Sequence, residues 1–263
     1  MGKRLVLRTG LFLFLGRVKK TVQDIKGGVV VIERLKREAE SGDMRACEIL
    51  FREFERREDK KGIKWLSSEM GINLNLTEEK VLLGWILDVD GDLNLRRRKG
   101  DFTLPDGLRV RGKFYLKGCR GLTSLPKGLK VDGDLNMRGC VSLREIPEDL
   151  EVGRTLNLTL CWKLKTLPSS LKVGGSLFLT SCTGLTSLPE DLEVKGQLSL
   201  AGCKKLMCLP KGLSVERRMV LNNCSRLKSL PTDLKVGKNL YLRGCWSLVC
   251  LPENLNVRGR IIR

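Results

Sequence analysis

From about Leu93 to Arg263 the sequence recurs every 21 residues, and this period restricts the fold more than any other feature. The unit reads Leu-x-Leu-x-x-Cys-x-x-Leu-x-x-Leu-Pro-x-x-Leu-x-Val-x-x-x. Its first apolar site is filled by Leu93, Phe114, Leu135, Leu156, Leu177, Leu198, Met219, Leu240 and Ile261. All 8 prolines fall on one site, from Pro105 to Pro252, and a valine follows five residues after each, from Val110 to Val257. An array of stacked units builds its core from contacts between neighbours. That suits a chain with only 5% aromatic residues, where Leu and Val must carry the burial.

Leu-x-Leu places two side chains on one face of a short strand. One strand per repeat then stacks into a parallel sheet with a spacing of about 4.8 Å. Proline removes a backbone donor and disfavours a helix interior, so the Pro-x-x-Leu-x-Val half is expected to return as extended or tightly turned backbone. A period of 21 residues leaves little room for a full helix there.

The unit resembles the leucine-rich repeat, Leu-x-x-Leu-x-Leu-x-x-Asn/Cys-x-Leu, as the stretch Val236-Gly237-Lys238-Asn239-Leu240-Tyr241-Leu242-Arg243-Gly244-Cys245 shows. The resemblance covers the last two-thirds of the chain. It implies an α/β leucine-rich-repeat solenoid, horseshoe-shaped, with a parallel concave sheet and a mostly non-helical convex side. Residues 72–263 form the expected array. Within it, 72–92 read as a degenerate first repeat, with Leu83, Leu87 and Val89 in phase and Gly84 in place of the proline. Residues 1–71 lack the repeat and are expected to form a helical N-terminal cap over the first hydrophobic face. The plan of helices followed by Leu-Pro repeats is similar to bacterial effector-type leucine-rich-repeat proteins. It departs from them in using Cys where Asn is commoner and in lacking their double Leu-Pro phrase. Plant disease-resistance receptors share the Cys-x-x-Leu-x-x-Leu-Pro wording, but no nucleotide-binding motif occurs here.

Seven of the 10 cysteines share one repeat site: Cys119, Cys140, Cys161, Cys182, Cys203, Cys224 and Cys245. The resemblance implies that they point inward and meet backbone groups of the turn after the strand, a place suited to a small, weakly hydrogen-bonding thiol. Zinc would need a tetrahedral ligand set, which an in-register row does not supply. Disulfides between rungs would need side chains aimed at each other rather than in parallel. Cys208 and Cys250 share a different site, two repeats apart, and are not expected to pair. Cysteines used in this way suggest a reducing compartment.

Before the array, Asp43 to Gly62 reads as one amphipathic helix, with Met44, Cys47, Leu50 or Phe51, and Phe54 at helical spacing. Asp43 caps its start, and Lys60, Lys61 and Gly62 suit its end. Val29 to Glu40 is also expected to be helical. Thr21 with Asp24 hints at an earlier helix that Gly27-Gly28 breaks. Asp88-Val89-Asp90-Gly91-Asp92 looks like a calcium loop, but its Gly is misplaced and Lys99 stands where an EF-hand has Glu. Val131-Asp132-Gly133-Asp134 repeats the phrase at the corresponding turn, which marks it as part of the repeat.

Histidine is absent, which removes His general bases, Ser-His-Asp and Cys-His nucleophile pairs, and His metal sites. No cofactor, metal or small-molecule substrate is expected. The net charge of +19 favours acidic partners: nucleic acid, an anionic membrane or an acidic protein surface. The basic and apolar start, Met1 to Gly16, lacks a cleavage pattern, so cytoplasmic residence is expected, with secretion without a cleaved leader as the alternative.

In the resembled family, the residues flanking and between the strand leucines face the concave surface. The candidate partner-binding residues are therefore Lys113, Tyr115, Lys117, Arg138, Phe178, Arg218, Tyr241 and Arg243. A basic stripe follows the cysteines: Arg120, Arg144, Lys163, Lys165, Lys204, Lys205, Arg226 and Lys228. It reads either as a solvated edge or as a polyanion site. The expected function is a non-catalytic module that binds a protein on the concave face. The alternatives are polyanion binding along the basic edge, or a fragment of an effector-type ubiquitin ligase whose catalytic domain would follow Ile261-Ile262-Arg263. Oligomerisation through the open C-terminal edge strand is a further expectation.

Overall fold

The structure, a computed structural model, describes residues 28–41, 43–70, 81–84, 86–190 and 192–263. The hinted helix near Thr21, the basic and apolar start, and residues 71–80 of the expected first repeat lie outside the described residues. The chain divides into two compact units, Met1–Asn73 and Leu74–Arg263.

The first unit holds three helices: α1 (Gly28–Glu40), α2 (Met44–Arg56) and α3 (Lys60–Met70). Asp43 caps α2, its carboxylate accepting the backbone N–H groups of Arg45 at 2.8 Å and Ala46 at 3.3 Å. Ala46, Cys47, Leu50, Phe51 and Phe54 make the buried stripe of α2. The single helix expected over Asp43–Gly62 is instead two. The chain leaves α2 through Glu58, whose φ of +54° is left-handed. Asp59 N–H then donates to Phe54 O at 2.8 Å, and Glu58 N–H to Glu55 O at 3.1 Å, which is the Schellman pairing. Asp59 next caps α3 by accepting Gly62 N–H at 2.9 Å. Lys60, Lys61 and Gly62 therefore open a helix rather than close one. Gly62 lets that turn approach α2, since a Cβ there would lie 2.6 Å from the Phe54 ring. Gly28, expected as a breaker, begins α1.

The second unit is a leucine-rich-repeat solenoid. Nine two-residue strands, from Leu93–Asn94 to Ile261–Ile262, stack in sequence order into one parallel sheet. Each pairs in register with the strand one period on: Leu156 with Leu177, Leu177 with Leu198. The strand leucines are buried and the residues between them are mostly half-exposed, so the sheet has one core face and one open face. Leu, Val and Cys rungs from Val81 to Leu248 form a continuous hydrophobic core.

The Pro-x-x-Leu-x-Val half is extended and tightly turned, as expected, and part of it is also paired. After the proline turn, the residue pair ending in valine forms a second set of short parallel strands, in a five-stranded and a four-stranded sheet. Valine is buried in all but the last of them, and the residue before it is mostly exposed. The exposed sites carry charges in cross-strand pairs, such as Lys130 with Glu151 at 3.2 Å and Arg109 with Asp132 at 3.0 Å. Val89 joins this set opposite Val110.

Between the two strands of a rung the backbone bends sharply, and glycine recurs there because successive rungs nearly touch. A Cβ on Gly174 would lie 2.1 Å from the Gly153 carbonyl oxygen, which is backbone and cannot swing aside. Gly174→Ala is therefore expected to destabilise the array by roughly 1–3 kcal/mol, the usual range for overpacking. Urea unfolding of the variant against the parent checks this, and an unchanged midpoint would show that the rungs part freely.

Candidate interaction surfaces

The turn after each strand sets the geometry of everything beyond it. The residue just before the cysteine site is left-handed in all eight repeats described there, whether Gly118, Gly139, Gly202 and Gly244 or Arg97, Leu160, Ser181 and Asn223. This turn aims each thiol into the core, where it donates to a carbonyl of the preceding rung. Cys119 Sγ reaches Leu95 O at 2.9 Å, Cys182 reaches Leu158 O at 3.0 Å, and Cys245 reaches Leu221 O at 3.1 Å. The four others do the same at 3.1–3.4 Å. The partner is thus the second apolar residue of the neighbouring repeat's Leu-x-Leu. Burial pushes these thiols well above their ordinary range, Cys140, Cys182 and Cys224 to about 12. A protonated thiol in a donor role is chemically quiet, because a thiolate nucleophile or metal ligand would have to give up that bond. Cys208 and Cys250, by contrast, are exposed.

On the open face, Lys113, Lys117, Arg138, Arg218 and Arg243 are exposed, while Tyr115, Phe178 and Tyr241 are half-buried. The three aromatic residues stand between strand leucines, each three periods of 21 residues from the next. The Arg96 guanidinium lies 3.9 Å from the Tyr115 ring centre, a cation–π stack that covers part of the ring. Arg218 Nε donates to Gln197 Oε1 at 2.6 Å, and Asn239 Nδ2 to the Tyr241 hydroxyl at 3.3 Å. Between the basic flanks, Thr155, Asn157, Thr159, Ser176, Thr180, Gln197 and Ser199 make an uncharged stretch. Within it, the Thr180 and Ser199 hydroxyls pair at 2.8 Å.

The acidic side chains are occupied elsewhere, largely in joining rungs. Asp92, Asp134, Asp106 and Glu190 each accept a backbone N–H one period ahead, at 2.7–3.0 Å. Asp149 and Asp233 accept one from the period behind, at 2.7 and 2.8 Å. In the calcium-like phrase, Asp92 bonds Lys113 N–H and Asp88 pairs with Arg111 at 2.9 Å, so the next rung uses both carboxylates.

The edge that follows the cysteines is different. From Cys161 to Leu251, the segments between each cysteine and the next proline contain no Asp or Glu. Lys163, Lys165, Lys204, Lys205, Arg226 and Lys228 project there, all exposed, with no ion pair among the described residues. Among the described residues, the most exposed large apolar side chains of the array lie on the same edge: Trp246 at 84%, Val249 at 85%, Trp162 at 51% and Met207 at 47%. The sequence reading recognised the charges but not these tryptophans. A shallow hollow of about 580 Å³ lies beside Trp246, lined also by Ser181, Thr183, Lys204, Asn223 and Ser225.

No family model matches the chain, and no curated protein matches it. Among solved structures it is similar to the leucine-rich repeat domain of the type III effector XopL. The match covers 92% of this chain and 97% of that one, at 18% identity and a TM-score of 0.26. So loose a superposition adds no weight; the class of the array rests on its own rungs. Stacked rungs with one open sheet face are the architecture of a leucine-rich-repeat solenoid, in which each rung contacts only its neighbours.

Proposed function

We propose that the array is a non-catalytic module that binds a protein partner on the open face of the nine-stranded sheet. One observation carries this reading: a preformed, in-register surface whose uncharged centre is flanked by basic residues and punctuated by Tyr115, Phe178 and Tyr241. A rigid sheet need not be ordered on binding, which removes one cost of association. Aromatic anchors then contribute most of the affinity, and Lys113, Lys117, Arg138, Arg218 and Arg243 chiefly steer the encounter. The thiols, protonated and engaged as donors, fit a reducing compartment such as the cytoplasm. Proteins captured from nuclease-treated cell extract supply the partner for the test. Changing Tyr115, Phe178 and Tyr241 together to Ala is expected to weaken binding of that partner by on the order of tenfold or more, with the circular dichroism spectrum unchanged. Full binding by a folded triple variant would sink the proposal.

A further inference from the structure

The edge after the cysteines has a composition that the protein-binding reading does not use. One row of side chains, one residue past each array cysteine from Cys161 onward, runs Trp162, Thr183, Lys204, Ser225, Trp246. Two exposed indoles thus bracket an ammonium group and two hydroxyls on successive rungs. At about 4.8 Å per rung the two rings stand roughly 19 Å apart. Lys163, Lys165, Lys205, Arg226 and Lys228 flank this row, without a carboxylate on the same segments.

We propose that this edge binds single-stranded nucleic acid, with Trp162 and Trp246 stacking unpaired bases and the lysine–arginine rows following the phosphates. Three observations lead there. The local field has one sign, because the segments between each cysteine and the next proline carry lysine and arginine but no carboxylate from Cys161 onward, and such a field attracts a polyanion. The rings are exposed by 51% and 84%, and a flat π-face open to solvent amid cations is the platform on which successive bases stack. The hollow beside Trp246 is lined by Lys204 and by the hydroxyl and amide groups of Ser181, Thr183, Asn223 and Ser225. Such walls suit a sugar-phosphate and a base edge better than an acyl chain, which separates this occupant from an anionic membrane. A duplex is disfavoured because its bases are already stacked on one another and cannot reach an indole.

The test uses the full chain with a fluorescently labelled 12-nucleotide oligo(dT) or oligo(U), followed by anisotropy. The duplex of the same length and phosphatidylserine–phosphatidylcholine vesicles serve as competing probes. Expected are quenching of Trp emission and binding at least tenfold tighter to a single strand than to the duplex. Trp162→Ala and Trp246→Ala are each expected to weaken binding roughly fivefold or more, with little change in salt dependence. Both side chains are exposed, so the variants should fold as the parent does. Changing Lys163, Lys204, Lys205 and Arg226 to Ser should make the log–log salt slope shallower by about three, since each phosphate contact on a single strand contributes about 0.7. The Tyr115, Phe178 and Tyr241 variant should leave oligonucleotide binding intact, which keeps this inference distinct from the proposed protein-binding face. Equal or tighter duplex binding, unchanged affinity in the tryptophan variants, uptake by vesicles in preference to the oligonucleotides, or no oligonucleotide binding would each overturn the proposal.

Discussion

Raising the pH from 7 to 10 under reducing conditions is expected to destabilise the array by about 4 kcal/mol through Cys140, Cys182 and Cys224 alone. Each of these thiols ordinarily ionises near 9 but is held at about 12 in the fold. A folded value above the unfolded one gives stability that is complete below pH 9 and is lost as pH rises toward 12. Within that window the unfolded chain releases protons that the folded chain keeps, and stability falls by about 1.4 kcal/mol per pH unit and per thiol. Burial is the first cause and acts in the same direction at Cys119, Cys161, Cys203 and Cys245, which adds to the slope. Against a typical total of about 5–15 kcal/mol, such a loss brings the array close to unfolding. Urea titrations at pH 7, 8, 9 and 10 read the slope directly. Cys182→Ser keeps a donor for Leu158 O but cannot ionise in this range, so its slope should be shallower by one proton. Stability that stays flat to pH 10 would show that the row is not buried as thiol.

The row itself was legible in the sequence because seven cysteines at one phase must share one environment. Their hydrogen-bond partner was not legible. It depends on which carbonyl the left-handed turn brings under each sulfur, and that turn is built with Gly118 in one repeat and Leu160 in another. The same masking of conformation by residue type hid the end of α2. Glu58 takes the left-handed place that glycine usually marks, so a continuous helix was expected where two exist. The valine strands escaped for another reason. Proline earlier in the same half argued for extended or tightly turned backbone but not for its pairing, and two residues are enough for a rung once the period holds neighbours in register.

The surface was only half readable. Periodicity placed Tyr115, Phe178 and Tyr241 on the open face, but their partial burial under neighbours such as Arg96 is a matter of packing. Trp162 and Trp246 could have been found. They share their repeat site with Arg120 and Lys204, and a site that holds an exposed cation in two rungs is at least partly open to water in the others. Reading each site of the period down all its repeats, rather than each repeat along its length, exposes that contradiction between residue and environment.

Leu177→Ala is expected to cost about 2–5 kcal/mol, the range for emptying a fully buried leucine site. The distribution of the loss is more informative than its size. Leu177 pairs in register with Leu156 on one side and Leu198 on the other, so the cavity weakens two adjoining interfaces in the middle of the sheet. In a globular core such damage is shared by every element. Here each rung touches only its neighbours, and stability is close to a sum of rung and interface contributions. Distant rungs need not feel it: Phe114, three rungs back, and Leu240, three rungs on, keep their own partners. Hydrogen exchange should therefore accelerate most at the amides of Leu156, Leu177 and Leu198, and least near Phe114 and Leu240. The denaturant transition should broaden as the array begins to open from its centre. Uniform acceleration along the whole array, with a transition as sharp as the parent's, would mean that the rungs fold as one unit and that the nearest-neighbour picture fails for this chain.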